Sequence, residues 1–203
     1  MTDRFRRRFL LLVLGLGLAS PAFSTPSDNQ TAEKASATNR QWSPVSPGKY
    51  DGSIAWVTAT MLEKYHYLHQ PLDRAMSGRF LDRYIEALDP QHLHFIQSDL
   101  DDFEEYRKEL GDLTVNHRHS SDLTPAFQIF NRFMQRLEQH VNYIDEVLKT
   151  EKFAFDTEER IAISRKELPY PRDLDEAKKL WRDRLRSEFL QEKLSKLLGA
   201  HAQ

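Results

Sequence analysis

Apolar residues recur at three- and four-residue intervals along most of this chain after Asp51, a spacing that places them on one face of an α-helix. The apolar positions of the first such stretch are Ile54, Val57, Met61, Leu62 and Tyr65. This helix must end by Gln70, because Pro71 disfavours helical geometry in the residue before it. The pattern therefore predicts an amphipathic helix between Asp51 and Gln70.

A second and a third helix are predicted on either side of the Asp-Pro pair at positions 89–90. Asp73 is a good N-cap for the second helix, which the Asp-Pro pair ends. The predicted inner face of this helix consists of Met76, Phe80, Tyr84, Ile85 and Leu88. The third helix is predicted to start at Ser98, with Asp101 three residues later as in a capping box. Gly111 fits the left-handed position that often ends a helix.

Two longer helices are predicted in the second half of the chain. Thr124 is the expected N-cap of the fourth helix, with Pro125 at its first helical position. Its apolar stripe is Phe127, Phe130, Phe133, Met134, Leu137, Val141, Ile144 and Leu148. Asp173 is the expected cap of the fifth helix, and Gly199 its end. The inward positions of the fifth helix are Ala177, Leu180, Trp181, Leu185, Phe189, Leu194 and Leu197.

These patterns predict an all-α fold of about five helices in an irregular bundle, preceded by a disordered N-terminal leader. The fourth helix, residues 127–148, is the expected core element. The apolar stripe of the last helix is expected to be partly exposed, since little of the chain follows it. No internal repeat and no alternating strand pattern of useful length occurs.

The N-terminal residues are typical of an export signal. Arginines at positions 4, 6, 7 and 8 precede the apolar run 9–19, and small residues follow it. Residues 1–24 are therefore predicted to be a signal peptide, residues 25–50 a disordered leader and residues 51–199 the helical domain. An uncleaved anchor is the alternative, although eleven residues of helix rise only about 16 Å, against a bilayer core of about 30 Å. We expect a periplasmic protein with no stable membrane span after signal cleavage.

Composition narrows the possible functions. The 203-residue chain has a net charge of −2, and removal of residues 1–24 would take away four Arg and one Asp, leaving a more acidic chain. Such a charge does not favour nucleic-acid binding. The absence of cysteine excludes disulfides and cysteine-based chemistry, so the fold must depend on its core.

Three histidine pairs, at 66/69, 92/94 and 117/119, are the candidates for metal binding, because imidazole is a common metal ligand. They lie on three separate predicted elements and no Cys or HExxH motif accompanies them, so surface and turn histidines are the preferred interpretation. The acidic residues of 99–105 crowd the start of a predicted helix, where they complement its dipole. No metal ligand and no cofactor is assigned.

Catalytic motifs are also missing from the sequence. Gly-x-Ser-x-Gly does not occur, and the single Gly-x-Gly, at 15–17, lies in the predicted signal. No catalytic residue is therefore assigned, and this chain alone is not expected to be an enzyme.

One ordered set of residues resembles the N-terminal domain of the tail-specific proteases, also called C-terminal processing peptidases. The set begins with Leu72, Asp73 and Ala75 and continues through Phe80, Leu81, Asp82, Arg83, Tyr84, Leu88, Asp89, Pro90, His92, Phe95, Ser98, Asp99 and Phe103. A later Trp181 helix, preceded by the Leu-Pro-Tyr-Pro segment 168–171, fits the same order. The resemblance covers about residues 50–198, the whole predicted fold.

The resemblance implies a helical scaffold in an exported serine protease that cleaves periplasmic proteins from or near their C-termini. Members of this family continue into a PDZ domain and a protease domain with a serine–lysine dyad, and no position of this chain matches that dyad. We therefore expect a truncated or split fragment that affects substrate or adaptor access. The expected partners are the PDZ and protease domains of the same enzyme or another periplasmic protein. A standalone periplasmic adaptor and a metal-binding protein that uses the histidine pairs remain as alternatives.

Within the resembling segment, we predict that residues 80–103 set the angle between the second and third helices. Asp82 and Arg83 are expected to make local polar contacts, and Phe95 to enter the core. Ser98 is expected to cap the third helix, so Ser98→Ala should cost about 0.5–2 kcal/mol.

Overall fold

The computed structural model describes residues 42–115 and 119–201, with side chains up to position 198. The predicted signal peptide and residues 25–41 of the predicted leader lie outside the described residues. In the described part, all the regular structure is helical, which confirms the all-α prediction. None of these helices has the length and hydrophobicity that crossing a bilayer requires.

Six α-helices and one 3₁₀ segment make up the described fold. Three helices lie in the first half: α1 (Asp51–Tyr65), α2 (Arg74–Leu88) and α3 (Gln97–Phe103). The 3₁₀ segment (Glu104–Lys108) and the short α4 (Leu110–Val115) follow. The long helices α5 (Thr124–Thr150) and α6 (Leu174–His201) complete the order. Helix α2 packs on the 3₁₀ segment, α4 and α5, while α5 packs on α6 and α1 packs on α4.

The predicted third helix is three separate elements. Gly111 does not end it: this glycine is buried inside α4, and its φ is not positive. The backbone N–H of Gly111 donates to Ser77 Oγ at 2.7 Å, and a Cβ here would lie 2.1 Å from the Leu72 carbonyl oxygen. Glycine is required at this position because two backbones approach closely, not because a helix turns back. Similarly, Gly199 does not end α6, which continues to His201.

The core lies between α2, α3, α4 and α5. Its fully buried apolar members are Leu81, Ile85, Phe95, Phe103, Leu110 and Ile129. Phe80, predicted to face inward, is 53% exposed, because the buried face of α2 is the neighbouring one, marked by Ser77, Leu81 and Ile85.

Helix α1 presents its apolar side outward, contrary to the amphipathic pattern. Its one buried residue is Ala59, and Trp56 Nε1 on the same side donates to the Val115 carbonyl oxygen at 3.3 Å. The predicted inner residues are all exposed: Ile54, Val57, Met61, Leu62 and Tyr65. We call these five residues the α1 apolar face. The end of α6 is also exposed at Leu194 and Leu197, as expected for the last helix.

Candidate functional site

A buried carboxylate organises the connection between α2 and α3. Asp89 is the C-cap residue of α2 and is 1% exposed. Its carboxylate accepts hydrogen bonds from the backbone N–H groups of Leu93 (2.9 Å), His94 (2.8 Å) and Phe95 (3.0 Å). Three N–H donors compensate for the desolvation of the carboxylate, which would otherwise be costly. Asp89 therefore closes residues 89–95 into a compact loop rather than only ending a helix.

A second buried carboxylate caps α3. The helix begins at Gln97, and Asp99 at its third position accepts the Ile96 N–H at 3.1 Å. The prediction that Ser98 caps this helix is wrong: Ser98 lies exposed inside the first turn. The N-cap lies two residues earlier than predicted, at Ile96, so the reach back to the N-cap N–H falls to Asp99 instead of Asp101.

Asp99 also joins α3 to α5. Arg136 Nε and Nη2 each donate to this carboxylate at 2.8 Å, and Arg132 Nη1 donates at 2.5 Å. Asp99 is completely buried and Arg136 is 8% exposed. Burial alone would raise the pKa of Asp99, but hydrogen bonds from Arg136, the Ile96 N–H and Arg132 outweigh it and hold the pKa below its usual value. This bidentate pair fixes α5 against the start of α3.

His92 connects the loop to the segment before α6. It has a φ of 50°, in the left-handed region, and its Nδ1–H donates to the Leu168 carbonyl oxygen at 2.5 Å. The proton is assigned to Nδ1 because a carbonyl oxygen can only accept. The ring stacks on Tyr170 with centroids 3.9 Å apart. Burial, followed by the charges of Asp89 and Glu86, raises the pKa of Tyr170, which therefore stays neutral.

Trp181 joins α6 to the same loop. Its Nε1–H donates to the Leu93 carbonyl oxygen at 2.5 Å, and the residue is 1% exposed. The indole stacks on His140 of α5, with centroids 4.4 Å apart, and His140 lies 5.3 Å from the His94 ring. We call His94, His140 and Trp181 the histidine–tryptophan cluster.

Both imidazoles of this cluster are held neutral. Burial is the main cause that lowers the pKa of His94, with Arg184 acting in the same direction and Asp89 against it. Burial also lowers the pKa of His140 well below its usual value, and a positive charge on His94, when that ring is protonated, and the charge of Arg184 act in the same direction. A neutral imidazole stacks and packs like an aromatic ring, so the cluster works as part of the core.

The remaining residues of the predicted motif have separate places. Asp82 accepts from Arg107 Nη2 at 2.8 Å, while Arg83 is exposed. Tyr84 Oη donates to the Ala126 carbonyl oxygen at 3.0 Å, which joins α2 to the start of α5. Pro90 is exposed in the turn, and the buried rings of Phe95 and Phe103 meet edge to face at 5.5 Å. The structure thus brings together Asp89, His92, Phe95, Asp99, Phe103 and Trp181.

The sequence interpretation missed two residues of α5, Arg136 and His140. Both lie on its most buried line, which runs through Pro125, Ile129, Arg136, His140, Ile144 and Val147. The predicted apolar stripe was rotated from this line because it followed hydrophobic residues only. The regular spacing of 129, 136, 140 and 144 was the signal that could have found them.

The geometry is that of a structural junction between helices. Two buried carboxylates, one stacked histidine and one tryptophan connect α2, α3, α5 and α6 through a single loop. Within the described residues, no three His, Asp or Glu side chains converge in a way that could hold a metal ion. His94 pairs with His140 rather than with its sequence neighbour His92, because both histidines of the 92/94 pair make contacts on opposite sides of the loop.

Comparison with known proteins shows which protein family this chain is similar to. Residues 58–202 match the family described as the tail specific protease N-terminal domain. A curated relative, the tail-specific protease of Haemophilus influenzae, is 32% identical over 135 residues. That alignment covers 66% of this chain and 19% of the relative, so the chain spans about a fifth of the length of the curated relative it matches.

Proposed function

We propose that this chain is a non-catalytic scaffold. The premise is that the chain belongs to the tail-specific protease family and contains the N-terminal domain of that family. The PDZ and protease regions of such an enzyme would dock on it, and it would shape the access of substrates and adaptors to them. The proposal applies to regions joined in the same polypeptide and to regions supplied as a separate chain. The family activity, proteolysis of exported proteins from or near their C-termini, would belong to those regions.

The observation that carries this proposal is the α1 apolar face. Ile54 is 62% exposed, Met61 55% and Tyr65 76%. Single exposed apolar residues are ordinary, but five on one helix face form a contiguous patch of the kind that marks an interaction site. Burial of such a patch against another domain would contribute about 25 cal/mol for each Å² of apolar surface removed from water. Burial of this face would therefore stabilise the complex with a docking partner. In the chain alone the face stays exposed and makes no such contribution.

We further propose a periplasmic location. The basic start, the apolar run 9–19 and the small residues after it support an export signal, as does the exported nature that the family resemblance implies. N-terminal sequencing of the protein recovered from a periplasmic extract tests this: a mature N-terminus near position 25 supports the location, and an intact N-terminus in the cytosolic fraction contradicts it.

Titration of this chain with a polypeptide that holds the PDZ and protease regions of the Haemophilus influenzae relative tests the scaffold. We expect saturable binding by calorimetry, weakened at least about tenfold by Ile54→Ser together with Met61→Ser. Ile163→Ser is the matched control, because Ile163 is 90% exposed but lies outside the α1 apolar face. No binding by the unmodified chain, or equal losses in the α1 variant and the control, would contradict the proposal.

A second candidate, a standalone periplasmic binding or adaptor protein, is favoured by a groove of about 890 Å³ along α5. Trp42 and Pro44 line one side of this groove, and next to them Asn131 accepts from the Val45 N–H at 3.0 Å and donates to the Val45 carbonyl oxygen at 2.9 Å. A side-chain amide that pairs with an extended backbone in this way could do the same for a partner peptide. An adaptor that uses the groove would lose affinity on Asn131→Ala and keep it on Ile54→Ser, the reverse of the scaffold.

A further inference from the structure

A small cavity with an excess of positive charge lies between the segment before α6 and α6 itself. Its volume is about 200 Å³. Three arginines, Arg160, Arg165 and Arg184, line it together with one carboxylate, Asp183. The side chains of Ile161 and Leu180 give it an apolar wall. This cavity uses no residue of the α1 apolar face or of the loop at 89–95.

The neighbouring carboxylates only partly balance the three guanidinium groups. Asp183 lies 4.0 Å from Arg182, a fourth arginine outside the cavity, so its charge is shared. Arg184 Nε lies 3.4 Å from Glu188, which balances part of its charge. The cavity therefore keeps a positive potential that an anion would satisfy.

Arg165 is held in place, and one buried donor of its guanidinium group has no hydrogen-bond partner. Its backbone N–H donates to Gln91 Oε1 at 3.1 Å, and its Nη2 donates to the Pro169 carbonyl oxygen at 2.8 Å. Its Nε is buried and has no hydrogen-bond partner. A buried N–H donor without an acceptor is costly, so a bound group that brings an acceptor to it would be stabilising. The fixed guanidinium is thus prepared for an oxygen acceptor.

We propose that this cavity binds an oxyanion, a carboxylate or phosphate group, that is carried on a small apolar body. The guanidinium groups of Arg160, Arg165 and Arg184 supply charge and hydrogen bonds, since guanidinium groups match the oxygens of both anions. Ile161 and Leu180 contact the apolar body. The cavity is smaller than the roughly 300–1,000 Å³ of pockets for drug-sized ligands, so it admits a terminal group rather than a whole large ligand.

The test follows the side-chain Nε–H signals of arginine by NMR in the ¹⁵N-labelled chain, with the Arg165 signal assigned by its loss in Arg165→Lys. Isobutyrate, acetate and inorganic phosphate are each added at constant ionic strength against sodium chloride. We expect a saturable downfield shift of the Arg165 signal with isobutyrate or phosphate. Whichever of these two anions binds with the higher affinity identifies the anionic group, carboxylate or phosphate. Acetate, which lacks the apolar body, should bind more weakly than isobutyrate. No saturable shift with any of the three anions overturns the proposal.

Two variants locate the site. Arg184→Gln should weaken binding at least about tenfold, because it removes one of three charges around the anion. Arg172→Gln is the control, since Arg172 is 83% exposed and pairs with Glu176 outside the cavity, and it should bind as the unmodified chain does. Equal affinity in Arg184→Gln and Arg172→Gln overturns the proposal. Circular dichroism of both variants verifies that they fold.

Discussion

The loop region around residues 89–95 and helix α1 differ in which side chains they bury. The loop region buries polar side chains, and α1 exposes apolar ones. In the loop region two carboxylates are among the most buried residues, with Asp89 1% and Asp99 0% exposed. On α1 an isoleucine and a tyrosine are 62% and 76% exposed. Hydrophobicity alone would predict the reverse, with the isoleucine and the tyrosine buried and the two aspartates exposed.

The difference teaches that burial follows available partners rather than side-chain polarity alone. Each carboxylate is buried because backbone N–H groups or arginines meet its oxygens, which compensates for lost hydration. The α1 apolar face is exposed because no described element of the chain packs over it, although α1 itself is held by α4 on its other side. The loop region therefore finds its partners among the described residues, whereas the α1 apolar face finds none there.

The largest expected effect concerns the buried ion pair. Asp99→Asn removes the charge that Arg136 and Arg132 face, and loss of one partner of a buried pair costs about 3–5 kcal/mol. The free energy of unfolding in urea measures this loss. Ser98→Ala, next to it, is the control and should change stability by less than about 0.5 kcal/mol, because Ser98 is exposed and does not cap the helix. Equal losses of stability in the two variants would indicate that Ser98 caps the helix.

A smaller effect is expected from pH. The folded state holds His94 and His140 at a lowered pKa, so near their ordinary pKa of about 6.5 the unfolded chain binds protons that the folded chain does not. Stability is therefore full above this pH and falls below it, by at most about 1.4 kcal/mol per histidine for each pH unit. Asp99 adds a separate loss at still lower pH, as pH falls through its lowered pKa.

Melting temperatures measured between pH 8 and pH 5 test the histidine contribution. The double variant His94→Gln, His140→Gln should be less stable at pH 8 but should lose less on acidification, since glutamine does not titrate. The exposed His66→Gln serves as the control and should keep the slope of the unmodified chain. An unchanged slope in the double variant would show that the histidine–tryptophan cluster does not carry the pH dependence.

The smallest effect is expected on α1. Ile54→Ala should change the free energy of unfolding by less than about 0.5 kcal/mol, because the side chain is exposed. Ile129→Ala, the same change in the core where Ile129 is 0% exposed, should cost about 2–5 kcal/mol. A large loss for Ile54→Ala would mean that the α1 apolar face is already covered in the isolated chain.

Sequence patterns predicted the elements far better than their faces. Asp73 accepts the Met76 N–H at 2.8 Å and Asp173 the Glu176 N–H at 2.9 Å, so both predicted N-caps are confirmed. Trp181 and Phe95 were correctly placed inside. The cap of α3 was wrong although the contact between Asp99 and the Ile96 N–H is local. The role of Gly111 and the buried line of α5 were wrong or missed, since each depends on a neighbour distant in the sequence: Gly111 on Leu72 and His140 on Trp181.

The sequence by itself determined that this chain is all-α and that Asp73 and Asp173 begin two of its helices, because helical period and capping act within a few residues. The family was indicated separately, by the resemblance of its ordered motif to one protease family. Only the tertiary structure decided which face of each helix is buried. That choice depends on long-range contacts between α2, α5 and α6, which a local pattern does not contain. The same contacts turned Asp89 and Asp99 from a turn residue and a surface acid into the buried anchors of the fold, because a carboxylate can be buried only where several donors converge.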